Sequence, residues 1–152
     1  MRVLIDGDGS PVVALTVRLC REAGVPCTIV CDTCHTFSSD YASVVVCDRG
    51  ADSADYRIVS LAQKGDLCIT QDYGLAAMCL ARGASAIDQN GMRYTADNIG
   101  GLLEARAFSA RVRRGGGRLK GPKKREAAQN DAFAAVLRRI LKEAAAHAGG
   151  NS

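Results

Sequence analysis

Short β-rich runs alternate with helical patterns through roughly the first 90 residues, and this alternation limits the possible folds more than any other feature. The runs lie at 2–5, 26–30, 43–47, 67–70 and 84–87. Strands that alternate with helices are typical of a parallel sheet with helices packed on its faces. The sequence therefore predicts a three-layer α/β fold with a mostly parallel central sheet of about five strands.

Helices are predicted from their end signals and their apolar faces. Ser10–Pro11 is expected to open the first helix as N-cap and first-turn proline, and Gly24 is expected to end it. Further helices are predicted over about 51–64 and 74–82, and Thr95 is expected to cap another. The last helix, at about 124–146, is expected to dock on the body through a stripe formed by Phe133, Val136, Leu137, Ile140, Leu141 and Ala144.

The length of 152 residues predicts a single domain over 1–152. No apolar run approaches the ~20 residues that span a bilayer, and the N-terminus leads directly into a strand-like run without a signal-peptide pattern. We therefore expect a cytoplasmic protein without membrane contact, whose seven cysteines stay reduced. Cys31-Asp-Thr-Cys34-His35 has the spacing of a haem-attachment motif, but attachment requires export and a zinc site requires two further ligands, so free thiols are favoured.

The net charge of +4 hides a division along the chain. Residues 1–104 contain 8 Lys and Arg against 13 Asp and Glu, whereas residues 105–125 contain 9 basic residues and no acidic ones. This basic segment, 105–125, contains glycines and a proline and is predicted to be partly loop, forming an excursion before the last helix. A basic segment on an acidic body suits a polyanion, so contact with RNA phosphates is predicted for Arg111, Arg113, Arg114, Arg118, Lys120, Lys123, Lys124 and Arg125.

Carboxylates follow several of the predicted strands. Aspartate is a preferred turn and N-cap residue, which explains any one of them taken alone. Asp6 and Asp8 are doubled although Ser10 already offers a cap, and Asp52 and Asp55 share one face near the start of a helix. Together with Asp72 they are expected at the same edge of the sheet, where their mutual repulsion favours a bound cation. Such hard oxygen ligands suit one or two Mg²⁺ or Mn²⁺ ions.

Several motifs resemble those of the YaiI/YqxD family, a bacterial group. They are Asp-x-Asp-x-x-Pro-Val at 6–12, Gly50-Ala-Asp-Ser-Ala-Asp55, Gly65-Asp-Leu-Cys-Ile-Thr-Gln-Asp72 with Leu75-Ala76-Ala77, and Tyr94-Thr-Ala-Asp-Asn-Ile99. Gly9-Ser10-Pro11 differs from the Ala-Cys-Pro common in that family, so Ser10 stands in the place of a cysteine. The family is similar to the PIN-like nuclease superfamily, in which acidic residues at strand ends bind divalent metal and hydrolyse RNA.

The resemblance implies a metal-dependent ribonuclease. Asp6, Asp52 and Asp72 match the superfamily's acidic positions, with Asp8 and Asp55 as supplementary metal ligands. Thr70 and Gln71 fall in the Thr-x-Asp element, and Ser10 and Thr70 are expected to support the acidic residues. In this mechanism the metal would activate a water and neutralise charge at the scissile phosphate.

Two alternatives remain open. Ile5-Asp-Gly-Asp-Gly-Ser10 also looks like the nucleophile loop of haloacid-dehalogenase-like phosphatases, with Asp6 attacking phosphate and Asp8 as general acid. Those sites usually also need a lysine and a paired acid after a later strand, which this sequence does not offer. The other alternative is a non-catalytic RNA-binding or regulatory module that keeps the PIN-like fold.

Overall fold

The central sheet has six strands in a computed structural model of the chain, which describes residues 1–32, 37–48, 53–116 and 124–150. The sheet order is β3-β2-β1-β4-β5-β6, in which β1 to β5 run parallel and β6 pairs antiparallel with β5. The three-layer α/β fold with a mostly parallel sheet is therefore confirmed, with one short strand more than predicted. The strands are β1 (Val3–Asp6), β2 (Cys27–Asp32), β3 (Ser43–Cys47), β4 (Leu67–Ile69), β5 (Ser85–Ile87) and β6 (Arg93–Tyr94).

Five helices cover the two faces of the sheet in the part of the chain that the structure describes: α1 (Val13–Ala23), α2 (Ser53–Leu61), α3 (Tyr73–Ala81), α4 (Ala96–Arg114) and α5 (Ala127–Gly150). One face carries α1 with α5 packed against it, and the opposite face carries α2 and α3 with α4 packed on α3. The side chains of β1 alternate accordingly. Val3 and Ile5 belong to the core under α1 and α5, whereas Leu4 belongs to the core under α2 and α3.

The first helix begins later than predicted. Its N-cap position is Val12, without a side-chain cap, and the Ser10 hydroxyl instead accepts the N–H of Val12 at 3.3 Å. The prediction of Ser10 as N-cap is wrong by two residues, because the chain is still turning after Gly9, which has a φ of 72°. The predicted end at Gly24 is confirmed, since its φ of 69° is the left-handed conformation that glycine adopts without strain.

Helix α4 occupies the first half of the basic segment and ends directly before its glycines. It begins after Thr95, whose predicted cap is confirmed: the Thr95 hydroxyl accepts the N–H of Asn98 at 3.2 Å, and Asn98 accepts the N–H of Thr95 at 2.8 Å. The helix continues to Arg114, so residues 105–114 are helical and not loop. Their sequence contains no glycine or proline that would stop a helix before Gly115.

The predicted apolar stripe of the last helix is confirmed. Phe133, Leu137 and Leu141 of α5 are at most 2% exposed and join the core that contains α1. The helix starts at Ala127 instead of 124, because Gln129 accepts the N–H of Glu126 with its side-chain oxygen at 2.7 Å and so caps the helix there.

The cysteines that the structure describes are free: Cys20, Cys27, Cys31, Cys47, Cys68 and Cys79. Cys34 and His35 lie outside the described residues, so the interpretation of the Cys-x-x-Cys-His motif stays a prediction. Among the described helices, none combines the length and the apolar character that a bilayer crossing requires.

Candidate active site

A cleft opens where β1 and β4 lie side by side at the carboxyl edge of the sheet. From β1 the chain passes through α1 to β2 on one side, whereas β4 and β5 extend the sheet on the other side. Helix α1, which follows β1, and helix α3, which follows β4, lie on opposite faces of the sheet. The loops that lead into these helices therefore diverge at this point. This is where parallel α/β sheets form a ligand-binding crevice. Asp6 ends β1, and Thr70 and Asp72 follow β4 directly.

Four of the five predicted acidic ligands meet in this cleft, which has a volume of about 590 Å³. Its described lining residues are Asp6, Asp8, Gly9, Asp55, Gln71, Asp72, Tyr73 and Arg106. We call this site the acidic cleft. The fifth predicted ligand, Asp52, lies outside the described residues and directly precedes the start of α2 at Ser53. Ser10 is not part of the described lining, whereas Thr70 lies behind Asp6.

The carboxyl group of Asp6 is held from behind by Thr70. The buried Thr70 hydroxyl donates to Asp6 Oδ2 at 2.8 Å and accepts the N–H of Asp72 at 2.9 Å. Burial raises the pKa of Asp6 to about 6, and the negative charges of Asp55, Asp8 and Asp72 add to this effect, whereas the Thr70 hydrogen bond opposes it. The acidic residues therefore repel one another through the cleft, as the sequence pattern predicted.

Asp72 also has the structural role that aspartate commonly takes at a helix start. It is the N-cap of α3, and its Oδ1 accepts the N–H groups of Gly74 at 2.8 Å and Leu75 at 3.2 Å. The same oxygen lies 3.4 Å from Nη1 of Arg106 on α4. Two backbone N–H groups therefore fix the orientation of the Asp72 carboxyl group, which also lines the acidic cleft.

The glycine between the two N-terminal aspartates is required by the closeness of β2. Gly7 donates its N–H to the Val30 carbonyl at 2.8 Å, which continues the pairing of β1 beyond Asp6. A Cβ at Gly7 would lie 3.0 Å from Cγ2 of Ile29 and 3.2 Å from the Val30 carbonyl oxygen. Asp8, after this close passage, accepts the N–H of Asp32 at 3.1 Å. The Asp-Gly-Asp pattern therefore sets the positions of both carboxylates against β2.

Sequence reasoning missed two lining residues, Tyr73 and Arg106. Arg106 lies three and four residues after Leu103 and Leu102, which are half-buried, so helical spacing places it on the side of α4 that faces the body. That spacing was the available signal, but it becomes informative only when α4 is known to extend beyond residue 105. Gln71 connects the two loops of the site, because its side chain donates to the Gly9 carbonyl at 3.1 Å.

The predicted phosphate-binding residues differ in their surroundings. Arg111, Arg114 and Lys124 are exposed. Arg125 is tied to the body, since its Nε donates to Asn130 at 2.8 Å and its Nη1 to Asn90 at 2.9 Å. The role of these residues in RNA binding stays a prediction. The remaining members of the predicted set lie outside the described part of the chain: Arg118, Lys120, Lys123 and the side chain of Arg113.

The donor set of the acidic cleft fits a hard divalent cation. Its carboxylate oxygens are ligands of the type that Mg²⁺ and Mn²⁺ prefer, and a cation would relieve the repulsion that contributes to the raised pKa of Asp6. Within residues 1–32, 37–48, 53–116 and 124–150, no group of three or more His, Cys, Asp or Glu side chains is arranged to hold a metal ion by itself. Mg²⁺ typically uses one or two carboxylates and completes its coordination with waters and substrate phosphates, so this arrangement is compatible with such an ion.

Fold and site together define an α/β protein whose acidic side chains gather at the carboxyl ends of parallel strands. The chain belongs to the YaiI/YqxD family: a family model described as "Uncharacterized BCR, YaiI/YqxD family" matches residues 4–143. Similar relatives are UPF0178 proteins from Exiguobacterium sibiricum, 46% identical with 94% of this chain and 98% of the relative covered, and from Clostridium acetobutylicum, 38% identical with 93% and 97% covered. The family resemblance of the sequence motifs is thus confirmed.

Among solved structures, the chain resembles the crystal structure of Rae1 (YacP) from Bacillus subtilis, determined as the W164L mutant. The sequence identity is 19%, the TM-score is 0.42, and the match covers 94% of this chain and 98% of the other. A similarity of this size carries no argument about site or activity. The PIN-like assignment therefore stays a prediction, with which the described fold is compatible.

Proposed function

We propose that this protein is a metal-dependent phosphodiesterase that hydrolyses RNA. The observation that carries the proposal is the acidic cleft itself, in which Asp6, Asp8, Asp55 and Asp72 line one crevice at the carboxyl edge of a parallel sheet. Four carboxylates around one crevice that holds a single described guanidinium repel one another, and buried groups with perturbed pKa values are concentrated at functional sites.

Asp6 and Asp72 would hold a Mg²⁺ or Mn²⁺ ion, with Asp8, Asp55 and the neighbouring Asp52 as further ligands. When bound, such an ion would supply a water of lowered pKa and compensate the charge of the phosphate. The chain's own contribution is preorganisation. Thr70 orients Asp6 through a 2.8 Å hydrogen bond, and the start of α3 orients Asp72 through two backbone N–H groups.

RNA is proposed as the substrate because a basic surface adjoins an otherwise acidic body. The exposed Arg111 and Arg114 lie on the same helix as Arg106, which reaches the acidic cleft. Basic side chains that neutralise phosphates release counterions and bind nucleic acid without sequence preference. Binding through α4 would therefore bring a phosphodiester close to the carboxylates.

The test is a cleavage assay on a labelled single-stranded RNA with Mg²⁺, with Mn²⁺ and with a chelator. Wild-type protein is expected to cleave only with metal, and Asp6→Asn is expected to be inactive. Asp131→Asn on the exposed face of α5 is the matched control, since it removes one carboxylate far along the chain from the cleft. A generic phosphate monoester is assayed in parallel. Turnover of the monoester alone would support the phosphatase alternative, and RNA binding without any turnover would support the non-catalytic one.

A further inference from the structure

We propose that Arg106 is the substrate-binding residue of the acidic cleft, and that it changes its partner from Asp72 to an RNA phosphate when RNA enters. The inference rests on the proposed function and adds to it the group that receives the substrate. Arg106 Nη1 lies 3.4 Å from Asp72 Oδ1. Together with Asp55, both residues line the acidic cleft and also a smaller adjoining depression of about 200 Å³.

The contact with Asp72 is weak enough to be exchanged. The side chain of Arg106 is 59% exposed and that of Asp72 is 33% exposed, and ion pairs this accessible to water contribute little. If Arg106 leaves, Asp72 Oδ1 keeps the N–H groups of Gly74 and Leu75 as donors. The carboxylate is therefore not left without hydrogen bonds by the exchange, which keeps its cost low.

The backbone next to the pair leaves room for the guanidinium. Gly74 is the second residue of α3, and a Cβ at this position would lie 3.2 Å from Asp72 Oδ1 and 3.7 Å from Arg106 Nη1. A side chain here would press against the Asp72 carboxylate and pack directly beside the guanidinium. The absence of a side chain at Gly74 therefore leaves the Asp72–Arg106 pair less crowded, which favours a change of partner.

The chemistry of the guanidinium points to a phosphate as the second partner. Arg106 is the single cationic side chain among the described residues that line the acidic cleft. A guanidinium has five N–H donors in a fixed planar arrangement that binds two oxygens of one phosphate, and the 3.4 Å contact engages one nitrogen. Arg111 and Arg114 continue along the same helix. An RNA strand that follows α4 would therefore present a phosphate to Arg106 at the edge of the carboxylates.

The experiment measures binding of a short fluorescein-labelled single-stranded RNA in the presence of a chelator, so that no cleavage occurs. Arg106→Ala is expected to weaken binding by about five- to tenfold and to reduce the salt slope by about 0.7, the loss of one phosphate contact on a single strand. Arg93→Ala is the matched control, because it removes an exposed arginine on β6 outside the cleft, and it is expected to change affinity less than about twofold. Arg106→Lys is expected to restore the salt slope but only part of the affinity.

A double-mutant cycle tests the change of partner itself. Asp72→Asn should release Arg106 and tighten RNA binding. The double variant Asp72→Asn with Arg106→Ala should show a smaller gain, because only the repulsion between Asp72 and the phosphate is then removed. Thermal melting of each variant verifies that it is folded. The inference is overturned if Arg106→Ala binds like Arg93→Ala, if the gain from Asp72→Asn is equally large without Arg106, or if the wild-type protein does not bind RNA.

These results separate the inference from the proposed function. An Arg106-dependent RNA affinity in a protein that never cleaves RNA would contradict the nuclease and keep the phosphate-binding role. Metal-dependent cleavage with an affinity and KM that do not change in Arg106→Ala would keep the nuclease and contradict the role of Arg106.

Discussion

The loops that follow β4 and β5 each contain an aspartate that accepts two backbone N–H groups, yet of these two aspartates only Asp72 lines the acidic cleft. After β4, Asp72 Oδ1 accepts the N–H groups of Gly74 and Leu75. After β5, Asp88 Oδ1 accepts the N–H groups of Asn90 and Met92, both at 2.8 Å. Both aspartates thus stabilise the turn that ends a parallel strand.

The difference between them is the neighbouring strand. β4 lies next to β1, whose end carries Asp6, so Asp72 meets another carboxylate across the crevice. β5 lies between β4 and the antiparallel β6, and Asp88 is not among the described residues that line the cleft. An aspartate at the end of a strand is therefore a turn residue by default, and it becomes part of a site through the position of its strand in the sheet.

The largest expected difference between the two loops is catalytic. Asp72→Asn should lower metal-dependent RNA cleavage by about 10²–10³-fold, because it removes a charge that would stabilise the metal and the transition state. Asp88→Asn should leave the rate of folded protein unchanged. The check is single-turnover cleavage with both variants at equal folded fraction. Equal losses in the two variants would show that both act through the fold.

A second difference, between the acidic cleft and the loop after β5, concerns how stability depends on pH. The pKa of Asp6 is raised to about 6, so the folded state binds this proton more tightly than the unfolded chain, and stability falls as the pH rises from about 4 to about 6. In chelator at neutral pH, Asp6→Asn should therefore raise the free energy of unfolding by up to about 3 kcal/mol. Denaturant titrations of the wild-type protein and of Asp6→Asn, at neutral pH and at about pH 4, check this.

The gain from Asp6→Asn should be mostly lost near pH 4 and should vanish below about pH 3, where Asp6 is protonated in both states. Asp88→Asn, outside the cleft, should bring no gain at either pH. A gain for Asp6→Asn that is the same at both pH values would contradict the electrostatic origin.

The next largest difference between the two loops should be the stabilisation that a bound metal ion provides. Mg²⁺ or Mn²⁺ at a hundredfold excess over its Kd should stabilise the wild-type protein by about 2.7 kcal/mol through mass action. Asp88→Asn should keep this shift, and Asp72→Asn should lose most of it. Differential scanning fluorimetry with and without chelator measures the shift. An unchanged response in Asp72→Asn would remove Asp72 from the metal site.

The smallest expected effect is common to both loops. Asp72→Ala and Asp88→Ala each remove an oxygen that accepts two backbone N–H groups and should each cost about 1 kcal/mol of stability. The asparagine variants keep an acceptor and should lose less. Urea titrations in chelator compare the four variants, and a loss confined to Asp72→Ala would show that the loops are not structurally equivalent.

The sequence predicted the secondary-structure elements and the acidic residues better than it predicted which elements lie side by side. The runs that became β1, β2 and β3 could be read because apolar strands and turn residues are local signals. The order of the strands in the sheet is not local, so Asp72 and Asp88 could not be distinguished before β4 was placed beside β1. The two-residue strand β6 is stabilised by its pairing with β5 and has no pattern of its own.

The same limit explains Arg106 and Arg125. Both belong to the basic segment, and composition alone assigns them one role. Their contacts differ because α4 brings Arg106 to Asp72, whereas Arg125 reaches the turn after β5 through Asn90. Which partner a long side chain finds depends on the tertiary placement of its element.

The packing of α5 on α1 has a consequence for how the chain folds during synthesis. Phe133, Leu137 and Leu141 complete the core beneath α1, although more than about 100 residues separate the two helices along the chain. The other three described helices pack on the opposite face. While the chain emerges from a ribosome, α1 and the strands beneath it therefore lack their cover until α5 has been made. Contacts this distant along the chain form late, so we expect the nascent chain to expose an apolar face until α5 has been made.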